Sequence, residues 1–324
     1  VAAELDALWQ EKLQPWLASL EGERRAAYRF FWVMLVLGLA LGASSSALAA
    51  SYELPWQIVL LVLFGIPVLL GSIGVHRLSD LAMRVKVRLL GELARVSGLD
   101  YSLKPYLPSR FGRFEEHGLL PDHHRRHFED HFEGELHSAD FELYEANLER
   151  RYRTRNGTRY RTVFRGVLIR IGFPRKVEGV TVITRDKGWF NGFEALGRSF
   201  GSRKLERIGL VDPRFEKAFE VYGDDQVIAR YMLTPSFMER LLALEAAFKG
   251  KNVRAVFDEN SGRGELLIAA ETGNQFEVSN MFKPIPGRRE VVTVLEEIRL
   301  VTEIIDLLVR PSEFGKHDSG AEAG

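Results

Sequence analysis

Residues Phe30 to Ala50, FFWVMLVLGLALGASSSALAA, and Leu54 to Val75, LPWQIVLLVLFGIPVLLGSIGV, contain no charged residue. Each run meets the roughly 20 residues that an apolar helix needs to cross a hydrocarbon layer about 30 Å thick. Only Ser51, Tyr52 and Glu53 separate them. So short a link cannot recross a bilayer, so residues 30–75 are expected to form an antiparallel transmembrane helical hairpin. Arg24, Arg25 and Arg29 precede the first run and Arg77, Arg84, Lys86 and Arg88 follow the second, whereas the link holds no Lys or Arg. Basic flanks stay on the inner side of a membrane, which predicts cytoplasmic N- and C-termini. Arg24 to Arg29, the first apolar run and Ala47-Leu48-Ala49 also form the pattern of a cleavable signal. The long segment ahead of Phe30 and the full length of the run favour a span, and cleavage would leave Leu54 to Val75 as an anchor with the same orientation.

Within the first run Gly38, Gly42 and Ser46 recur every four residues, and Gly65, Gly71 and Gly74 lie in the second. Small residues on one helix face let backbones approach closely in lipid. The stripe is expected to pack the two spans together, with a homo-oligomer formed through the same helices as the alternative. Neither run holds an ionisable group, which argues against an ion or proton path. Ahead of the hairpin, Leu5, Leu8, Trp9, Leu13, Trp16, Leu17 and Leu20 recur at helical spacing. They predict an amphipathic helix over 1–29, kinked at Pro15, lying either at the headgroups or on the chain itself.

The whole chain balances 44 Lys plus Arg against 44 Asp plus Glu, so bulk charge points to no nucleic-acid partner. With no cysteine, disulfides, thiolate metal sites and cysteine nucleophiles are excluded. There is no phosphate-binding Gly-x-x-x-x-Gly-Lys loop and no Gly-x-Ser-x-Gly elbow, and no cofactor is expected.

Beyond the hairpin, residues 76–129 read as a helical stalk and linker, and residues 130–310 as a cytoplasmic α+β domain. Short alternating runs predict strands at Val163–Ile171, Val180–Thr184, Lys204–Val211, Phe219–Tyr222 and Val227–Leu233. Asn156-Gly157 supplies the dipeptide of a two-residue hairpin turn. Asp224-Asp225 reads as a turn and Gly262 as part of another. Thr234 as N-cap, Pro235 at the first turn and Phe237, Leu241, Leu244 and Phe248 along one face predict an inserted helix. Glu290 to Leu308 predicts a closing helix, and residues 311–324 a disordered tail. The expected fold class is α+β: a transmembrane helical hairpin, then an antiparallel sheet or small barrel with an inserted helix and a C-terminal helix.

The stretch Asp212-Pro213-Arg214-Phe215-Glu216-Lys217-Ala218-Phe219-Glu220-Val221-Tyr222-Gly223-Asp224-Asp225-Gln226, followed by Ala229-Arg230-Tyr231 and by Leu233 to Arg240, resembles an uncharacterised bacterial family of two-span membrane proteins, domain of unknown function 3137. The two spans, Glu129-Asp130, Gly134 and Val163-Phe164-Arg165-Gly166 share the resemblance. It implies a bacterial inner-membrane protein and assigns no catalytic residue.

Two constellations stand out. Arg150, Arg151, Arg153, Arg155, Arg159 and Arg161 crowd the tip of the expected hairpin, with Tyr152 and Tyr160 among them. Such a finger suits anionic headgroups, each basic residue near the surface contributing about 1 kcal/mol; its alternative is a soluble edge whose arginines block aggregation or pair with Glu142, Glu145 and Glu149. Six of eight histidines lie between His117 and His137. On a helix His123, His127 and His131 would share one face and chelate a metal, but Arg125 and Arg126 oppose a dication, and a solvated, pH-responsive surface is the favoured reading. The sequence thus points to a membrane-tethered binding or assembly module recognising an unknown protein partner, anionic lipid or both, without catalysis. The alternatives are a metal-dependent enzyme using the histidine stretch and an accessory subunit of a membrane transport complex.

Overall fold

A computed structural model of the chain describes residues 9–108, 110–155, 157–185, 204–248, 251–273, 276, 282 and 288–309. It divides into two compact units, Val1–Leu90 with Glu277–Val292, and Gly91–Phe276 with Thr293–Gly324.

In the first unit a π-helical turn, Trp9–Leu13, leads into α1 (Gln14–Ser51), and α2 (Trp56–Val96) follows after a four-residue link. Pro15 sits in the first turn of α1, where its missing N–H leaves nothing unsatisfied. The expected kink is therefore replaced by a π turn and one unbroken helix that continues through the first apolar run. Both helices are long and apolar enough to cross a membrane. Their mutual contact is set by the small residues: a Cβ on Gly38 would lie 2.8 Å from Pro67 Cα, one on Gly42 2.8 Å from the Leu63 carbonyl, and one on Gly74 2.7 Å from Phe31 Cα. Gly38, Gly42 and Ser46 are buried on this seam, so the second helix of the same chain occupies the stripe. Nearer the ends, Leu17 and Ala27 pack on Leu78, Leu81 and Val85, joined by Trp9, Trp16 and Leu20. The amphipathic stripe thus rests on α2, and the Arg88 guanidinium lies 4.6 Å above the Trp16 ring. Leu5 and Leu8 fall outside the described residues.

The second unit is built on nine strands: β1 (Asp100–Ser102), β2 (Arg125–Leu136), β3 (Ala139–Thr154), β4 (Gly157–Phe173), β5 (Thr181–Thr184), β6 (Glu206–Arg207), β7 (Glu220–Gly223), β8 (Lys251–Asn260) and β9 (Arg263–Glu271). They form one sheet in the order β1-β2-β3-β4-β9-β8-β5-β7-β6, with antiparallel pairing throughout. The order does not close on itself, so the sheet is open and the barrel alternative falls. Ser261 and Gly262 take φ of 54° and 80°, the left-handed pair that a tight hairpin turn between β8 and β9 requires.

One face buries Tyr144, Ala146, Leu148, Leu168, Val256 and Leu267 beneath Phe111 and Phe114 of a short helix, α3 (Phe111–Glu116). Against the other, Phe237 of α6 (Pro235–Ala247) stacks on Phe257 with centroids 5.2 Å apart. Between the strands lie α4 (Pro213–Ala218) and α5 (Gln226–Met232), and α7 (Arg288–Val309) follows β9. Thr234 caps α6 through Phe237 N, as expected. The segment Val227–Leu233, expected as a strand, is the helix α5. Asp225 caps it by accepting from the Val227 and Ile228 amides, and this satisfied helix start overrides the alternating apolar pattern. Its neighbour Asp224 accepts from Val180 N at 2.7 Å. The candidate strand Lys204–Val211 contracts to Glu206–Arg207. The tail over 311–324 lies outside the described residues.

Candidate functional site

The β3–β4 hairpin is present, displaced from the expected register. Thr154 pairs with Gly157, so the two-residue link is Arg155 and residue 156, one position ahead of the expected pair; Asn156 lies outside the described residues. Neighbouring strands do not reach its tip. The first residue of β2, Arg125, pairs with Glu149, and on the far side the pairing of β9 stops at Ala270 opposite Val167. Residues 150–161 therefore stand beyond the sheet as a two-stranded ribbon.

That ribbon carries six arginines and no acidic residue. Residues directly opposite in an antiparallel pair share a face. Arg153 faces Thr158, Tyr152 faces Arg159, Arg151 faces Tyr160 and Arg150 faces Arg161. One side presents Arg151 and Arg153 with Tyr160, the other Arg150, Arg159 and Arg161 with Tyr152. All six arginines are exposed, and among the described residues none of them forms an ion pair. Glu142 and Glu145, offered as partners, are buried elsewhere in the sheet. At the root the Arg125 guanidinium sits 3.4 Å above the Tyr160 ring, an interaction that fixes the strand base and adds a seventh cation. The nearness of Arg125 has no local signal in the sequence, since it depends on the β2–β3 register.

The histidine stretch is not a helix. Arg125–Leu136 is a strand, interrupted by a bulge between Glu129 and Phe132 with Asp130 at φ 52°. His123 precedes it, with Nδ1 3.1 Å from the Pro121 carbonyl and Nε2 3.4 Å from Glu115. His127 Nε2 meets Glu129 Oε1 at 2.9 Å. His131 is buried 5.8 Å from the Tyr144 ring. The three imidazoles thus face different partners, and the shared helical face disappears with the helix.

A second polar cluster, absent from the sequence reading, lies between α3 and the sheet. Glu265, 1% exposed, accepts from Arg170 Nε at 2.8 Å, Arg113 Nε at 2.9 Å and Asn260 at 3.1 Å. Arg170 also pairs with Asp140, and Arg113 with Asp258 at 3.2 Å. Burial pushes the Glu265 carboxyl up, but the hydrogen bonds from Arg170, Arg113 and Asn260 outweigh it and hold the carboxyl below its ordinary range. Every strong charge here has a counter-charge and no nucleophile stands among them. The cluster clamps α3 to β4 and β9.

His117 lies at its edge, 4% exposed, with Nε2 3.2 Å from Asp258. Burial and the nearby Arg113 charge depress its proton affinity. A histidine lowered in the folded state binds protons more readily when unfolded, so its contribution is complete above about pH 6.5 and falls away on acidification. Thermal unfolding followed between pH 7 and pH 5 is expected to show a falling midpoint, and His117→Gln a shallower fall. An unchanged slope would remove His117 as the cause.

A pair of long apolar helices joined to an open antiparallel sheet with helices on its faces defines an α+β class of protein. Residues 162–310 match the model of the family described as protein of unknown function (DUF3137). The crystal structure of the mycobacterial trehalose monomycolate transport factor A, TtfA, aligns at 12% identity and a TM-score of 0.32, covering 71% of this chain and 98% of that one. No curated protein matches the chain.

Proposed function

We propose that the protein is a non-catalytic module tethered to the bacterial inner membrane by α1 and α2, with both termini cytoplasmic, whose arginine ribbon binds the phosphates of anionic lipid headgroups. The observation that carries this reading is the ribbon itself. Arg150 lies directly opposite Arg161, an arrangement that destabilises a sheet, with no acid among residues 150–161 to offset it. A soluble edge needs one or two charges to stay unpaired; six exposed guanidiniums spread over both faces of one ribbon match phosphate, which arginine holds in bidentate fashion. Support for the tether comes from the surface of the two helices. Val36, Leu61, Phe64 and Leu69 are all more than 60% exposed, an apolar area far beyond what a soluble surface leaves in water and one that lipid tails would cover. Tethering also raises the effective concentration of the finger at the bilayer, so modest attraction suffices.

The test uses the full chain in nanodiscs. A fluorophore at Thr158→Cys is expected to be quenched by headgroup-labelled lipid in phosphatidylglycerol discs, weakly in phosphatidylcholine discs, and less as salt rises, since exposed charges are screened over about 8–10 Å near physiological ionic strength. In cells, Ser51→Cys should label from outside with an impermeant thiol reagent. Equal quenching in both lipids would refer the finger to an acidic protein partner, and labelling at Ser51 only after permeabilisation would reverse the orientation.

A further inference from the structure

Between β2 and β3, on the sheet face that α3 covers, His131, Glu133 and Glu142 bring one nitrogen and two carboxylate oxygens within 4.8 Å of one another. Two features of the backbone make the group. Glu133 and Glu142 are directly opposite in register, which sets their side chains together on one face. The bulge at Glu129–Phe132 then resets the alternation of β2 so that His131, two residues before Glu133, points to that same face and against Tyr144.

Opposed carboxylates repel, and Glu142 is only 7% exposed. His131 is 6% exposed and its Nε2 makes no hydrogen bond; the nearest carboxylate oxygen, Glu133 Oε2, is 3.9 Å away, beyond hydrogen-bond reach. A buried imidazole nitrogen that makes no hydrogen bond, close beside two carboxylates, supplies the donor set of a cation site. Glu133, with its side chain 56% exposed, leaves one side open to solvent for entry of the ion and for water ligands.

We propose that His131, Glu133 and Glu142 form a binding site for a borderline divalent cation such as Zn2+ or Mn2+, joining β2 to β3. One imidazole and two carboxylates are hard to intermediate donors that suit these ions. Ligand contacts near 2.0–2.2 Å require the three side chains to draw together from their present separation, and the exposed Glu133 is free to make most of that movement. Neither His123 nor His127 takes part.

The experiment uses the full chain, purified without a histidine tag and stripped with EDTA, titrated with ZnCl2 by calorimetry and with CoCl2 by visible absorption. The expected result is about one ion per chain and cobalt d–d bands of a low-coordinate site. His131→Gln and Glu142→Gln should abolish both, and Glu133→Gln should weaken Zn2+ binding more than about tenfold. His127→Gln should leave both unchanged. Because Glu133 is exposed, its variant tests the site even if the two buried variants fail to fold, as judged by circular dichroism. Stoichiometric Zn2+ unchanged in Glu133→Gln, or no saturable Zn2+ binding by the unmodified chain, overturns the proposal.

Discussion

Reversal of Arg153, Arg155, Arg159 and Arg161 to Glu is expected to abolish headgroup quenching of the Thr158→Cys probe in phosphatidylglycerol discs. Each basic residue near an anionic surface contributes about 1 kcal/mol, so loss of four contributes about 4 kcal/mol, a factor of about 1,000 in the docked population. Four new negative charges repel the same surface and enlarge the effect. The fold should tolerate the change, since these side chains are exposed beyond the last neighbouring strand and have little packing to lose. Thermal unfolding of the variant should therefore match that of the unmodified chain. Quenching that persists after reversal would assign the contact to other residues and leave the ribbon as an edge guard.

The second large effect concerns Glu265. Glu265→Ala removes the one carboxylate that Arg113 and Arg170 share, leaving two cations under-compensated in a buried setting. Breaking a buried pair from one side costs about 3–5 kcal/mol. The lower figure is expected, because Asp140 and Asp258 still answer the two arginines. At about 2–4 °C per kcal/mol for a unit of this size, the midpoint of the sheet signal should fall by roughly 6–12 °C. Adding Arg170→Leu should restore part of the loss, since replacing both partners with apolar groups is far cheaper than orphaning one. A loss below about 1 kcal/mol would show that α3 is held by Phe111 and Phe114 alone.

Where the sequence was legible, the signal was local. The two apolar runs, the Thr234-Pro235 helix start, the turn at Gly262 and the basic hairpin each depend on residues within a few positions of one another, and each appears in the structure. Two failures have a common cause. Val227 to Leu233 alternates like a strand, yet Asp225, in plain view, already offers the cap that starts a helix. His123, His127 and His131, four apart, would share a face on a helix, but Arg125–Leu136 is a strand, and its bulge at Asp130 sends Phe128 and Phe132 to opposite faces. Phe128 meets Phe111 and Tyr144, while Phe132 meets Tyr101 and Phe276. A bulge changes side-chain parity without any composition that announces it. The Glu265 cluster and the His131 group draw on segments far apart in the chain, so no window of sequence contains them.

The strand order has a consequence in time. β4 pairs along Val167–Phe173 with β9, whose last residue is made about 100 residues later. At about 5–20 residues per second of synthesis, the β2–β3–β4 meander waits roughly 5–20 s with an apolar edge, Val-Leu-Ile-Arg-Ile-Gly-Phe, bare to its surroundings. Such an edge recruits strands from other chains. Arg170 stands at its middle, and a lone charge there is the residue that discourages a wrong partner. When β9 arrives, Glu265 neutralises that same charge and the guard becomes part of the core: one side chain protects the nascent chain first and fastens the finished sheet afterwards.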